Sequence, residues 1–326
     1  MLEQRGMRST ALIIDDRLAR YDQPLFVDRD LQDELREVGF AVRPSLLDPA
    51  AIAALRVHAD QLLDRLDGRW GDLFLTVGRI EDTALRWELI RRAGDVVVPA
   101  LAPYFVPETQ FLGSAFQVKP PSPTSELNPH QDSSLVDEHQ WPGVYGWIPL
   151  DDTDEGNGGL QVVPGSHRLW NPQRTLSVPW QLAGLEEVMR RHCVPLAVSA
   201  GGVVFFDSAT IHCSPPNRSD TVRLAVNSFM RPAGATLLHF FRDEATTPGM
   251  VEVFEIDPSF LYGEDMMVRP GDRHRALGER PQHLVDCDEG SFDHLCTEVA
   301  ARSRVPPSAL VGSGRLGLRS RASAVE

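Results

Sequence analysis

Lysine is almost missing from this chain: Lys119 is the only one among 32 basic residues. Against 46 acidic residues this leaves a formal net charge of −14. A nucleic-acid partner, which needs a basic face, is thereby excluded. Cysteine is scarce too. The four, Cys193, Cys213, Cys287 and Cys296, form no CxxC pair and are loosely spaced, so a disulfide framework is not expected and a reducing, cytoplasmic setting is. Long apolar runs are also lacking. The run from Ala11 to Ile14 is cut short by Asp15 and Asp16, which makes no signal peptide, and no later stretch is long enough to span a bilayer. No membrane partner is expected.

What is present is an ordinary soluble composition, 42% hydrophobic and 24% charged, with 326 residues to build a core without staples. The N-terminal third reads helical. Asp48 caps a helix that begins at Pro49; Ile52, Leu55, Ala59, Leu62, Leu63 and Leu66 recur at helical spacing, and Gly68 is the expected stop. A second helix is predicted from Asp82 to Ala93, ended by Gly94. From about Phe111 the texture changes to short β-rich runs between turns. Strands are predicted over 111–118, 144–150, 160–163, 202–206 and 221–230, with nothing alternating as βαβ units. That pattern suits a sandwich or barrel.

The chemistry is concentrated in two places. His130 and Asp132 flank Gln131, so on an extended chain they share a face. Far downstream stands His212. Two histidines and one carboxylate are the set with which non-haem Fe(II) oxygenases hold iron while leaving other positions open. Either segment alone is weak, but several strands lie between them and a barrel can bring their ends together. Arg223 sits in a run whose Val222, Leu224 and Val226 share one face, leaving Arg223, Ala225 and Asn227 on the other. One reading is an exposed arginine on an edge strand. The other is an arginine turned into a barrel as a two-pronged clamp for a carboxylate, with Ser214 adding a hydroxyl.

Other patterns fail. Gly312 to Gly317 fits a dinucleotide loop by letters, yet no strand precedes it. Asp151 to Gly159 resembles a calcium loop, but Val163 occupies the place of the closing glutamate, and a turn is expected. Cys213 is expected to turn away from any metal held by His212.

Three segments, 128–134 (NPHQDSS), 147–168 (WIPLDDTDEGNGGLQVVPGSHR) and 200–232 (AGGVVFFDSATIHCSPPNRSDTVRLAVNSFMRP), resemble the phytanoyl-CoA dioxygenase family of Fe(II)/2-oxoglutarate oxygenases. The resemblance covers roughly Gln110 to Pro232. It implies a mainly β chain with flanking helices, a double-stranded β-helix or cupin-like jelly roll. Residues 1–326 are then one oxygenase domain, with a mostly helical scaffold over 20–108 and the jelly-roll core with the metal site over 109–232. Additional strands or a lid would occupy 233–305, and a flexible tail 306–326. The resemblance makes His130, Asp132 and His212 the Fe(II) ligands, and Arg223 and Ser214 the anchor of 2-oxoglutarate. Gln117, Gln131 and Trp147 become walls or hydrogen-bond partners of the same pocket, though Trp147 equally suits a core aromatic. His167 belongs to a structural Gly-Ser-His turn.

The implied cofactors are Fe(II), 2-oxoglutarate as co-substrate and O2, with ascorbate as reductant in vitro. Halogenating relatives lack the carboxylate ligand; Asp132 is present, so hydroxylation or another oxidative outcome is expected. A zinc hydrolase would use similar ligands but needs a general base and leaves Arg223 without a role. A non-catalytic metabolite-binding jelly roll is the remaining alternative. The loop 133–143, with Asp137, Glu138, His139 and Trp141, is expected to border the substrate, and its acidity suggests a cationic or amine-bearing small molecule. Residues 254–270 are expected to close over it. No basic patch for a CoA phosphate is evident, which favours a small-molecule tailoring step by a monomer or homodimer.

Overall fold

Alternation of side chains builds the frame. The computed structural model describes residues 18–67, 71–169, 171–285 and 287–302. The strands are β1 (Phe40–Arg43), β2 (Leu75–Thr76), β3 (Gln110–Lys119), β4 (Leu127–His130), β5 (Val144–Pro149), β6 (Gln161–Val162), β7 (Val194–Pro195), β8 (Val203–Asp207), β9 (His212–Ser214) and β10 (Arg223–Arg231). They form two antiparallel sheets. The larger has the order β1-β8-β5-β10-β3-β2 and the smaller β4-β9-β6-β7. On β8, Val204 and Phe206 face inward while Val203 and Phe205 face the other way; on β5, Trp147 and Ile148 divide likewise. The inward set meets Leu160 and Val162 of the smaller sheet, so the two sheets pack face to face as a jelly roll.

The outward set is covered by helices. α1 (Arg29–Val38), α2 (Pro49–Leu66) and α3 (Thr83–Leu101) bury Leu31, Leu35, Leu55, Leu62, Leu89 and Val97 against Phe116, Ile148, Phe205 and Val226. Each N-terminus is capped by an aspartate: Asp28 accepts from Asp30 N, Asp48 from Ala51 N and Asp82 from Leu85 N. α1 stops at Gly39 (φ 86°), where a side chain would run into His167 and Thr210.

One expectation about this layer changes, at the end of α3. α2 turns at Asp67, held in the left-handed region (φ 46°), while Gly68 lies outside the described residues. α3 does not end at Gly94. Ala93, Val97 and Leu101 continue its buried stripe past Gly94 and Pro99, and that packing outweighs the roughly 1 kcal/mol a helical glycine costs. Within the mostly helical 20–108 segment, β1 and β2 form both edges of the larger sheet. Beyond the jelly roll, β11 (Leu238–Phe241), β12 (Met250–Glu255) and β13 (Arg275–Pro281) make a third sheet. Its Phe241 and Phe254 join Phe260 of α5 (Pro258–Gly263) and Leu135, Phe229 and Leu112 in one apolar cluster. α4 (Glu186–His192) and α6 (Glu289–Arg302) pack on Val163 and Ile211. The stretch over 312–317 and the tail from 306 lie outside the described residues. Among the described residues, no helix is long and apolar enough to cross a membrane.

Candidate metal and co-substrate site

Strand pairing sets the two histidines side by side. In the β4–β9 ladder His130 lies directly opposite His212, and their ring centroids are 4.2 Å apart. Asp132, two residues past β4, is placed by its N–H, which donates to Ser208 O at 3.1 Å. Nδ1 of His130 lies 2.8 Å from Asn128 O, and Nδ1 of His212 3.0 Å from Thr210 O. A carbonyl only accepts, so each Nδ1 carries the proton and each Nε2 is left with a free lone pair. Both Nε2 atoms lie 3.8 Å from an oxygen of Asp132, too far to hydrogen-bond. The donor atoms of all three residues fall within 4.8 Å of one another. Oδ2 of Asp132 is buried and has no partner. Burial presses the pKa of His130 down to about 4, with the neighbouring His212 adding to the effect, so its ring stays neutral.

These three residues open onto a cavity of about 280 Å³. Gln117, Trp147, Ser214 and Arg223 also line it. Arg223 is buried, opposite Lys119 in the β10–β3 ladder. Its Nη2 donates to Gly158 O at 3.2 Å and its guanidinium lies over the Trp147 ring, but Nε and Nη1 have no partner. Burial lowers its pKa to about 10, which still leaves it charged at neutral pH. Gln117 accepts from Trp147 Nε1 at 3.0 Å, so these two form one wall.

Lys119 is the partner the sequence reading passed over. Fully buried, its Nζ donates to Ser214 Oγ at 2.6 Å and Ser125 O at 2.7 Å. Burial, with repulsion from Arg223, brings its pKa down to about 7. Because Ser214 Oγ accepts from Lys119, its own proton is free to be given elsewhere. Gly158 (φ 73°) leaves the space that the Lys119 side chain fills.

Two expected site assignments change. Gln131 does not face the cavity: its amide donates to Leu169 O and Ala209 O and accepts from Trp180 Nε1. Alternation along the chain turns it away from the side His130 and Asp132 share. The acidic loop over 133–143 likewise keeps its carboxylates out. Glu138 is buried in a two-pronged pair with Arg174, with bonds of 2.8 Å, and also accepts from Ser208 Oγ at 2.6 Å. Asp137 accepts from His139 N and Gln140 and lies 3.6 Å from Arg280. Trp141 packs on Gly234. The motive for a cationic substrate is thus removed. From the 254–270 stretch, Leu261, Tyr262 and Met266 do line the cavity. Cys213 points to Cys193, their sulfurs 3.3 Å apart, and His167 is bound to Arg36 O in its buried turn.

The donors fit a ferrous ion: two imidazoles and a carboxylate converge from one side, and a buried arginine with uncommitted N–H groups lies in the same cavity. No glutamate lines the cavity among the described residues, so the general base of a zinc hydrolase is missing. A jelly roll with this triad defines the class of iron and 2-oxoglutarate oxygenases. Residues 35–225 match the family model of phytanoyl-CoA dioxygenase (PhyH), over half of the chain, and the chain belongs to that family. The match begins well before Gln110 and takes in β1, α2 and α3. Its cofactors are accordingly Fe(II) and 2-oxoglutarate.

Among curated relatives, phytanoyl-CoA dioxygenase domain-containing protein 1 of Danio rerio is 25% identical over 257 residues, covering 61% of this chain and 88% of that protein. Its Mus musculus counterpart is 30% identical over 132 residues, 38% of this chain and 45% of the mouse protein. Among solved structures, EvdO2 from Micromonospora carbonacea var. aurantiaca, complexed with 2-oxoglutarate, is similar at 23% identity and a TM-score of 0.46. That likeness covers 65% of this chain and 94% of EvdO2.

Proposed function

We propose that the protein hydroxylates a small-molecule metabolite, in a biosynthetic tailoring step, using Fe(II) and 2-oxoglutarate. The observation that carries this reading is Arg223, a buried cation whose Nε and Nη1 are satisfied by no described group, in the cavity of the His130, Asp132 and His212 triangle. A buried, half-satisfied guanidinium is costly, and a carboxylate ligand removes the cost. On this reading His130, Asp132 and His212 hold the ion through Nε2, a carboxylate oxygen and Nε2. Arg223 receives the far carboxylate of 2-oxoglutarate along its open edge. Ser214, its oxygen held as an acceptor by Lys119, donates its proton to the same carboxylate. The Trp147–Gln117 pair and Phe206 wall off water. When bound, iron supplies the oxidising chemistry by which 2-oxoglutarate and O2 give succinate, CO2 and an oxidised substrate. Asp132 occupies the position that must be vacated for chloride, which supports hydroxylation.

Succinate formation from 2-oxoglutarate with Fe(II), O2 and ascorbate tests this directly. Arg223→Ala and Asp132→Ala are expected to abolish it. Full turnover in either variant would sink the reading.

A further inference from the structure

The cavity is electrically lopsided. Among the described residues that line it, Asp132 is the only carboxylate, and Arg223 and Arg79 are the two arginines. A divalent ion and two arginines bring four positive charges; Asp132 removes one and the 2-oxoglutarate dianion two more. One positive charge remains, and a protonated Lys119 behind Ser214 adds to the same sign. This arithmetic rests on the iron and 2-oxoglutarate reading.

Arg79 is the group left over. It ends the short 3-10 turn Val77–Arg79, which follows edge strand β2 and leans over the cavity. Thirteen other arginines are ion-paired with carboxylates. In a chain with 46 acidic residues to 32 basic ones, pairing is the common fate of an arginine. Arg79 has neither an ion pair nor a hydrogen bond among the described residues, although it is exposed and free to reach.

A second observation lies two strands away. Asn227, on the inward face of β10 opposite Ala115 and Trp147, has a buried amide oxygen with no partner. It lines the same cavity beside apolar Leu135, Phe229 and Leu261. Buried amide groups are ordinarily satisfied, so one facing a ligand cavity marks where a ligand's polar group is received.

We propose that the primary substrate is a small organic anion, whose carboxylate or phosphate is received by Arg79 and whose largely apolar body carries one hydrogen-bonding group to Asn227. A guanidinium suits either oxyanion through its fork of donors.

The test uses matched pairs: a carboxylic acid against its methyl ester and amide, and a phosphate monoester against its alcohol. Binding is read as the rise in melting temperature of the full-length protein loaded with Ni(II) and 2-oxoglutarate. Stimulation of succinate release by the Fe(II) enzyme is measured in parallel. The acid of at least one pair is expected to bind about 10- to 100-fold more tightly than its neutral partner, the worth of a charge-assisted hydrogen bond. Which pair responds separates carboxylate from phosphate. In Arg79→Gln that preference should collapse toward unity, and in Arg79→Glu it should pass to amine-bearing analogues.

A wild type that prefers neutral or cationic members would overturn the proposal, as would an Arg79→Gln protein that keeps the acid preference. If Arg79 served the co-substrate instead, Arg79→Gln would weaken 2-oxoglutarate binding alone, which also overturns it. If the wild type formed no succinate at all, the oxygenase reading would fail, while the melting-temperature ratios would still decide whether Arg79 receives an anion.

Discussion

Two buried polar regions flank the metal triangle, and they are built oppositely. Behind Asp132, Arg174 and Glu138 use their charged groups on each other, and Arg174 Nε also donates to Asp132 O at 2.9 Å. Ser134 N is bonded to Arg174 O, and Ser208 Oγ to Glu138. Every partner there is already in place. In the cavity the pattern reverses: Arg223 keeps two uncommitted nitrogens, and neither it nor Lys119 hydrogen-bonds a carboxylate. Both regions hold buried cations, so burial and charge alone do not tell structure from function. Satisfaction at a cavity wall does: Arg20 also keeps two open nitrogens, but it is buried against Asp207 away from the cavity. The closed network positions a ligand residue, whereas the open one lining the cavity awaits a molecule.

The sharpest way to break this contrast is to remove the open charge. Arg223→Met should raise the KM for 2-oxoglutarate by about 100-fold or more, since two charge-assisted bonds of roughly 1.5–3 kcal/mol each are lost. The ligand-free protein should unfold at the same urea concentration or a higher one, because an unsatisfied buried cation has been replaced by an apolar chain. A marked loss of stability would show Arg223 to be structural after all. The closed pair should behave in the opposite sense. Glu138→Ala leaves Arg174 buried and unpaired and should cost about 3–5 kcal/mol in urea unfolding. Arg174→Met combined with Glu138→Leu should recover most of that loss; strict additivity of the single effects would dissolve the pair.

Acid provides a smaller perturbation that bypasses both networks. Burial, with Arg20 and Arg168 adding repulsion, holds His167 at a pKa of about 3, and burial chiefly holds His239 near 4. Both lie below the ordinary 6.5, so the unfolded chain takes up protons first as pH falls. Their contribution is complete above pH 6.5 and is lost progressively below it, on the order of 2 kcal/mol per histidine by pH 5. A melting temperature that stays flat between pH 7 and 5 would contradict this. The smallest effect belongs to Ser214→Ala, which leaves the arginine clamp intact and should weaken 2-oxoglutarate binding about 10-fold, the worth of the single charge-assisted hydrogen bond its hydroxyl gives the carboxylate. A loss equal to that in Arg223→Met would place the anchor on Ser214 instead.

Local signals carried part of this molecule. The caps Asp48 and Asp82 mark real helix starts, and the alternation over 222–227 already puts Arg223, Ala225 and Asn227 on one face. The rest depends on contacts between distant residues. Gly94 reads as a stop because nothing nearby shows that Ala93, Val97 and Leu101 lie on one packed stripe. Glu138 reads as a substrate contact because its partner Arg174 is 36 positions away. Lys119 carries no local signal, because only the β3–β10 register sets it opposite Arg223. Gln131 sits between two residues of the triangle, but its amide points to the backbone of 169 and 209, which no spacing rule reveals.

β10 divides what must be kept from what can vary. Leu224 and Val226 help fix the helical layer, while Arg223 and Asn227, one residue away, meet only the cavity side. Selection for a new substrate therefore has a short stretch of chain on which to act, and the neighbouring positions shield the core from the experiment. Substitutions at Asn227 would explore molecular taste at nearly constant stability. On this strand, evolvability is a property of the pleat.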